Sequence, residues 1–403
     1  MLFLLALAEL LGMSLWFTAS ALAPQLRILW HLSVSQGAWL TTIVQLGFVA
    51  GTALAAVLNL ADVFPARWYF ASAALAGAVA NGLLLLAPGY RTALLLRFLT
   101  GMCLAGVYPP AMKMISTWFH ARRGLAIGTI VGALTVGKAT PYLVHALEGA
   151  GVAPVILAAS IGAAVAGILA ATSYRDGPYP FARRSFSWAL VHTVVREREW
   201  RLATSGYLGH MWELYSFWTW IAAFFAASAA ARAEMGHAVP SARAVGLLAF
   251  GAIAVGGVAC VIGGWLADRI GHERLVNRAM ALSGSCALVI GFTFGGRFQL
   301  LVPLAWLWGM AVIADSAQFS TLVTRSVPSH AVGTALTLQT SLGFLLTMVT
   351  IQIIPPAVRL VGWRFAFAVL AVGPALGIIA IRRLRAWRIA SSPSAPQEAV
   401  SLP

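Results

Sequence analysis

Five ionisable residues stand inside stretches that are otherwise apolar: Glu9, Arg97, Lys138, Glu213 and Asp315. Each costs at least about 2.5–3.5 kcal/mol at the centre of a bilayer and persists there only with a partner, with water or with a task. A carboxyl so placed can take and release a proton as it meets either side of a membrane, and a cation so placed can hold an anion. Glu213 leads as a proton-coupling residue, because His210, Ser216 and Trp220 lie along its face at helical spacing. A structural hydrogen bond to a neighbouring helix is the competing reading. Glu9 has only Leu5, Gly12, Met13 and Trp16 on its stripe, so it needs a partner such as Arg97 or Lys138, for structure or for coupling. Asp315, with Gln318 beyond it, is the third proton-coupling candidate. If Lys138 approaches Arg97, two cations face the solute; if it pairs with Glu9, they do not. His210, Tyr108, Tyr142, Trp220 and Gln318 complete the expected binding set.

The elements that must position these residues are membrane helices. The chain is 60% apolar and 10% charged, whereas soluble domains have about 45–50% and about 25%. Runs of about 20 apolar residues, long enough to span about 30 Å of hydrocarbon, fall near 1–22, 37–59, 68–87, 92–116, 124–147 and 152–172, then 202–228, 243–267, 275–295, 299–321, 331–354 and 361–381. The two sets of six are related. Glu9, Leu10 and Trp16 recur as Glu213, Leu214 and Trp220, Leu60-Ala61-Asp62 as Leu266-Ala267-Asp268, Gly101-Met102 as Gly309-Met310, and Gly124 with Ala126 as Gly333 with Ala335. Such duplication places a substrate site at mid-membrane between the halves of a transporter. The expected fold is therefore an all-α membrane protein of twelve transmembrane helices in two pseudo-symmetric six-helix bundles, residues 1–172 and 202–390. Between them lies a cytoplasmic loop, 173–201, whose Phe186, Trp188, Val191 and Val195 suit an interfacial helix, and a tail rich in Ser, Pro and Ala, 391–403, is expected to be disordered.

The net charge of +15 would suggest nucleic acid in a soluble protein, but its placement decides otherwise. Of 27 Lys and Arg, Arg97 and Lys138 are in spans. Seven (Arg27, Arg91, Arg232, Arg243, Arg297, Arg359 and Arg364) fall in loops on one side, and the remaining eighteen fall on the other. The positive-inside rule puts both termini and the basic surplus in the cytoplasm, against anionic lipid of the plasma (inner) membrane. The first apolar run lacks a basic leader and is interrupted by Glu9, so it reads as a retained helix. Cys103, Cys260 and Cys286 lie in apolar spans without metal-ligand spacing.

The loop Gly263-Gly264-Trp265-Leu266-Ala267-Asp268-Arg269-Ile270-Gly271-His272-Glu273-Arg274 resembles the signature loop of the major facilitator superfamily. The first copy, Asn59 to Arg67, keeps Asp62 and Arg67 but has Val63 and Pro65 where the pattern departs. The resemblance implies that Asp62, Arg67, Asp268, Arg269 and Arg274 form a gate latch; the plainer reading makes the two Asp turn residues satisfying local amides. Arg97-Phe98-Leu99-Thr100-Gly101 resembles a fourth-helix element of the family. It implies that Arg97 faces the cavity for substrate binding or proton coupling. The family's cavity is lined by helices one, four, seven and ten, which here carry four of the five buried charges. The Gly-rich run from Gly128 to Pro141 only partly resembles the family's antiporter motif, since Ala133 and Lys138 stand at departing positions; its small residues still allow close helix packing.

No nucleophile–base set, metal cluster or phosphate loop marks an enzyme, so no catalytic residue, metal or cofactor is expected. The chain reads as a monomeric, proton-coupled secondary carrier of a small organic or inorganic anion working by alternating access. A proton-driven antiporter exporting a drug-like or metabolite substrate is the alternative, and a receptor or channel the non-carrier alternative. Its partners are the small-molecule substrate, protons and membrane lipid, with no nucleic acid.

Overall fold

The structure, a computed structural model, describes residues 1–119, 123–148, 151–179, 187–328 and 330–391, with the backbone alone at 61, 62, 123 and 148. The side chain of Asp62 and the tail beyond Ser391 thus lie outside the described residues. The main helices are α1 (Leu2–Met13), α2 (Val34–Val57), α3 (Ala66–Leu86), α4 (Tyr90–Ser116), α5 (Gly124–Leu147) and α6 (Val152–Ser173), followed by α7 (Arg198–Glu234), α8 (Ala242–Ile270), α9 (His272–Thr293), α10 (Phe298–Thr324), α11 (Val332–Ala366) and α12 (Val372–Ser391). Among the described residues ten stretches are long and apolar enough to cross a membrane, and Leu2–Met13 is a shorter apolar helix. The last stretch, Val332–Ser391, holds both α11 and α12. Gly362, with φ of 70° and ψ of 169°, breaks the end of α11 just inside the expected last span 361–381, and a 3-10 turn, Phe367–Ala371, leads on into α12. Only glycine takes such a backbone without strain.

Three helices are interrupted. After Met13 the chain leaves α1 through Ser14–Phe17 and resumes as the short turns Thr18–Ala21 and Ala23–Leu29, so the expected first span, 1–22, is not one continuous helix. Pro109 and Pro110 offer no N–H to the carbonyls four residues back, at Ala105 and Gly106, and α4 is broken there between Leu104 and Tyr108. In α10 the break falls at Asp315 itself.

Glycines set how closely the helices cross. A side chain at Gly101 would overlap the Val44 carbonyl where α4 crosses α2, and one at Gly309 would overlap the Ala252 carbonyl where α10 crosses α8. The repeated Gly-Met pair therefore makes the same close crossing in both halves of the sequence. The Gly-rich α5 lies along α8: a Cβ at Gly132 would stand 2.7 Å from the Gly257 carbonyl oxygen, and one at Gly128 3.3 Å from that of Cys260. On its other face Gly137 abuts the Leu10 carbonyl, bringing α5 onto α1. α2 meets α11 through Phe48 and Phe344, with ring centroids 4.5 Å apart. Hydrogen bonds link Ser35 to Gln352 (2.8 Å) and Gln352 to Thr42 (3.0 Å).

The central segment forms a nine-residue helix, Trp188–Arg196, with Val194 buried in a cluster containing Trp200, Ala331 and Ala335. Nearby, Arg388 of α12 donates to Glu199 and Glu273, each at 2.8 Å, and to Ser326 at 3.1 Å. One side chain thereby ties the starts of α7 and α9 to the region just past α10. These crossings make a measurable prediction. Gly101→Val and Gly309→Val are each expected to destabilise the purified protein by about 1–3 kcal/mol through overpacking, read as a lowered thermal midpoint. Val at Gly333, where a Cβ meets nothing within 4 Å, should leave the midpoint unchanged.

Candidate functional site

The break in α1 leaves the carbonyls of Leu15 and Trp16 turned out of the helix, and Arg97 collects them. Its Nη1 donates to Leu15 O (3.0 Å) and to Asn81 Oδ1 (2.9 Å), its Nη2 to Trp16 O (2.5 Å) and its Nε to Leu40 O (3.4 Å). Asn81 in turn donates to Ser160 Oγ (3.0 Å) and Ile156 O (3.3 Å), extending the network to α6. The guanidinium is fully buried, and its planar fork is spent on backbone oxygen. Arg97, expected to face a solute, is here engaged by oxygens that stitch the α1 break to α2, α3 and α4. Arg97 and Lys138 both contact Trp16, the one at its carbonyl and the other at its ring.

Lys138 lies at the seam between the two halves of the sequence. Its Nζ stands 3.9 Å from the ring centroid of Trp16, 4.6 Å from that of Tyr215 and 5.3 Å from that of Trp218, and it donates a hydrogen bond to the Tyr215 hydroxyl. Three aromatic faces offset part of the cost of burying an ammonium through their quadrupoles. Trp16 belongs to the α1 break and Tyr215 and Trp218 to α7, so a cation carried by α5 is held largely by the second half of the chain. The Phe17 ring packs on both Tyr215 and Trp218, and Tyr142 donates to the Trp218 carbonyl at 3.3 Å. Trp16, Phe48, Tyr215 and Phe344 close the space above them, with neighbouring ring centroids 4.5–5.7 Å apart.

Glu9 is fully buried, and among the described residues neither carboxylate oxygen has a hydrogen-bond partner. It is within electrostatic reach of Lys138 and of Tyr108. The contact of Gly137 with Leu10 accounts for this: it sets the residue after Gly137 beside the turn that carries Glu9.

Glu213, the repeat mate of Glu9, has the opposite surroundings. Ser283 donates to its Oε2 at 2.7 Å and Trp308 to its Oε1 at 2.6 Å. Both oxygens are engaged by helices of the same half, the arrangement of a structural carboxylate. The divergence is visible residue by residue. With Gly309 matched to Gly101, Trp308 corresponds to Thr100, whose hydroxyl is returned to Leu96 O at 2.8 Å. At the repeat offsets of 204 to 209, Ser283 corresponds to a position within residues 74–79, Ala-Leu-Ala-Gly-Ala-Val, which has no side-chain donor. The first half lacks both groups that satisfy the second half's carboxyl.

A separate pair forms where α10 breaks. His210 Nδ1 is 2.9 Å from Asp315 Oδ1, within ion-pair distance but not aligned as a hydrogen bond, and both side chains are buried. Gln318 Oε1 is 2.7 Å from His272 Nδ1. Trp220 donates to Ile351 O at 3.0 Å, a packing role rather than a place beside Lys138. Asp268 Oδ2 comes within 4.0 Å of a Cβ built on Gly124, against the first turn of α5, where a carboxylate is favoured by the helix dipole. Arg269 stacks on Trp265 at 3.7 Å and Arg67 on Trp68 at 5.2 Å, while Arg274 joins other arginines on α9 and α12. Sequence reasoning missed Tyr215, Asn81, Ser283 and Trp308. Tyr215, two residues from Glu213, was open to notice, but the others become partners only through crossings between distant helices.

The family model for the Major Facilitator Superfamily matches residues 3–351, and the chain belongs to that superfamily. No curated protein matches it. The Arg97 network predicts that Arg97→Lys lowers the solute-free thermal midpoint by the equivalent of about 1–3 kcal/mol, because carbonyls are left unpaired. A residue serving only the solute would leave that midpoint unmoved.

Proposed function

We propose that this member of the Major Facilitator Superfamily is a proton-coupled secondary carrier of a small organic anion, with its site at the Glu9–Lys138 pair. The observation that carries the reading is the pair itself. A buried carboxylate without a hydrogen bond stands near an ammonium whose one hydrogen-bonding partner among the described residues, the Tyr215 hydroxyl, belongs to the other half of the chain. We read the chain as twelve spans in two bundles, α1–α6 and α7–α12, with α2–α11 and α5–α8 as the contacts between them. Both termini are placed in the cytoplasm by the distribution of Lys and Arg.

The chemistry follows from charge balance in a poorly solvating interior. An incoming carboxylate displaces the Tyr215 hydroxyl and neutralises Lys138, while its apolar body takes the place of ring contacts among Trp16, Phe48 and Phe344. Glu9 then loses the cation that offset its own burial, and it takes a proton rather than remain as an unpaired anion. Solute and proton therefore occupy the site together, and the bundles rock about a nearly neutral centre. The aromatic lining supports an organic over an inorganic anion, and the single available cation supports one carboxylate per solute. The departures at Ala133 and Lys138 from the family's antiporter pattern count against export in exchange for protons.

In proteoliposomes Glu9→Gln is expected to retain solute exchange but lose accumulation driven by a pH gradient, whereas Glu213→Gln retains both. The reverse pattern would return coupling to Glu213 and remove Glu9. A thermal-shift panel of small carboxylates, sugars, amino acids and organic cations on the purified protein should single out the carboxylates. Lys138→Met should abolish that response while the variant remains folded; a response to carboxylates that survives in Lys138→Met sinks the assignment.

A further inference from the structure

At the end of the molecule where α9 begins and α12 ends, a cleft of about 380 Å³ is lined by Arg274, Asn277, Arg278, Arg382, Arg385 and Ile389. Arg274 and Arg278 are one helical turn apart on α9, and Arg382 and Arg385 one turn apart on α12, so four guanidinium groups converge from two packed helices. All four are exposed, and among the described residues none has a carboxylate within ion-pair reach. The nearby Glu273, which could have neutralised them, is taken by Arg388 at 2.8 Å. Asn277 lines the same cleft. Four like charges held side by side repel one another, and among the described residues no carboxylate pairs with them.

Continuing along both helices away from the cleft, the exposed positions turn apolar at once. Leu282 follows Arg278 by four residues and is 43% exposed; Ile379 and Leu376 precede Arg382 and are 47% and 61% exposed. The basic cleft therefore opens onto a surface fit for hydrocarbon, at the depth where a polar headgroup gives way to acyl chain. We propose that the cleft binds the phosphate headgroup of an anionic membrane phospholipid, with its acyl chains against Leu282, Leu376 and Ile379. The planar forks of the arginines match phosphate oxygens in pairs. The apolar continuation favours a lipid over a soluble phosphate, which would gain nothing from those side chains.

The test uses the full chain purified in a neutral detergent and titrated with short-chain phosphatidylglycerol, short-chain phosphatidylcholine or inorganic phosphate, read as the thermal midpoint. Phosphatidylglycerol is expected to raise the midpoint saturably, and the other two are not. Arg278→Gln and Arg382→Gln should each weaken the apparent affinity about fivefold, the equivalent of about 1 kcal/mol per basic residue near the surface. The charge-keeping Arg278→Lys and Arg382→Lys should retain most of the response, which separates headgroup binding from a folding defect. Arg243→Gln, which removes the same charge at the start of α8, should change nothing. An equal shift with phosphatidylcholine, or a response that survives in the Arg278→Gln/Arg382→Gln double variant, overturns the site. Saturation by inorganic phosphate alone overturns the lipid and leaves a soluble-anion site.

Discussion

An apolar interior that cannot solvate charge governs this protein, and each buried ionisable side chain meets it in its own way. Arg97 surrounds itself with carbonyl oxygens released by a broken helix and with an amide oxygen. Glu213 accepts from a hydroxyl and an indole. Asp315 stands at a helix break beside His210. Glu9 and Lys138 are left with the weakest compensation: mutual attraction at a distance, three aromatic faces and one phenolic hydroxyl. Full hydrogen bonding makes a buried group expensive to disturb. The least satisfied pair is therefore the one that a solute and a proton can perturb at least cost.

The irregularities of the helices and these charges depend on one another. A continuous α1 would keep the Leu15 and Trp16 carbonyls within its own hydrogen bonds, and Arg97 would have no cage. Without Arg97 the break would expose backbone oxygen to a medium that offers it nothing. The same break turns Trp16 toward Lys138, so the arginine supports the lysine's site without touching it. Gly137 contributes by what it lacks, since any side chain there would hold α5 off α1 and separate Lys138 from Glu9.

Much of this was legible from residue types. Apolar run length marked membrane helices, with which the superfamily match agrees, and the repeated Glu-Leu, Leu-Ala-Asp and Gly-Met pairs pointed to a duplicated chain. All five buried charges were visible as exceptions to their surroundings. Their partners were not, because helical spacing relates neighbours on one helix, whereas Arg97 meets Leu15, Leu40 and Asn81, and Glu213 meets Ser283 and Trp308, across crossings set by tertiary packing. The broken α1 was hidden too: Ser14–Phe17 contains no Pro or Gly to announce it. Arg97 misled for a related reason, since a buried guanidinium and one that faces a solute look alike in sequence, and only the carbonyls around it tell them apart.

The duplication sharpens the contrast between Glu9 and Glu213. Both carboxyls sit at matched positions of matched helices, so a need of the fold alone would have kept matching partners for both. In the second half Ser283 and Trp308 remain; in the first, alanine, glycine and a threonine that bonds its own helix stand in their places. A carboxyl kept while both of its donors are missing carries a standing energetic penalty that attraction to Lys138 at a distance only partly offsets. Replacing Glu9 by an apolar residue would remove that penalty, yet the acid remains, opposite a lysine held by the other half of the chain. A stability argument does not account for that combination, which is why the proposed function places its site there.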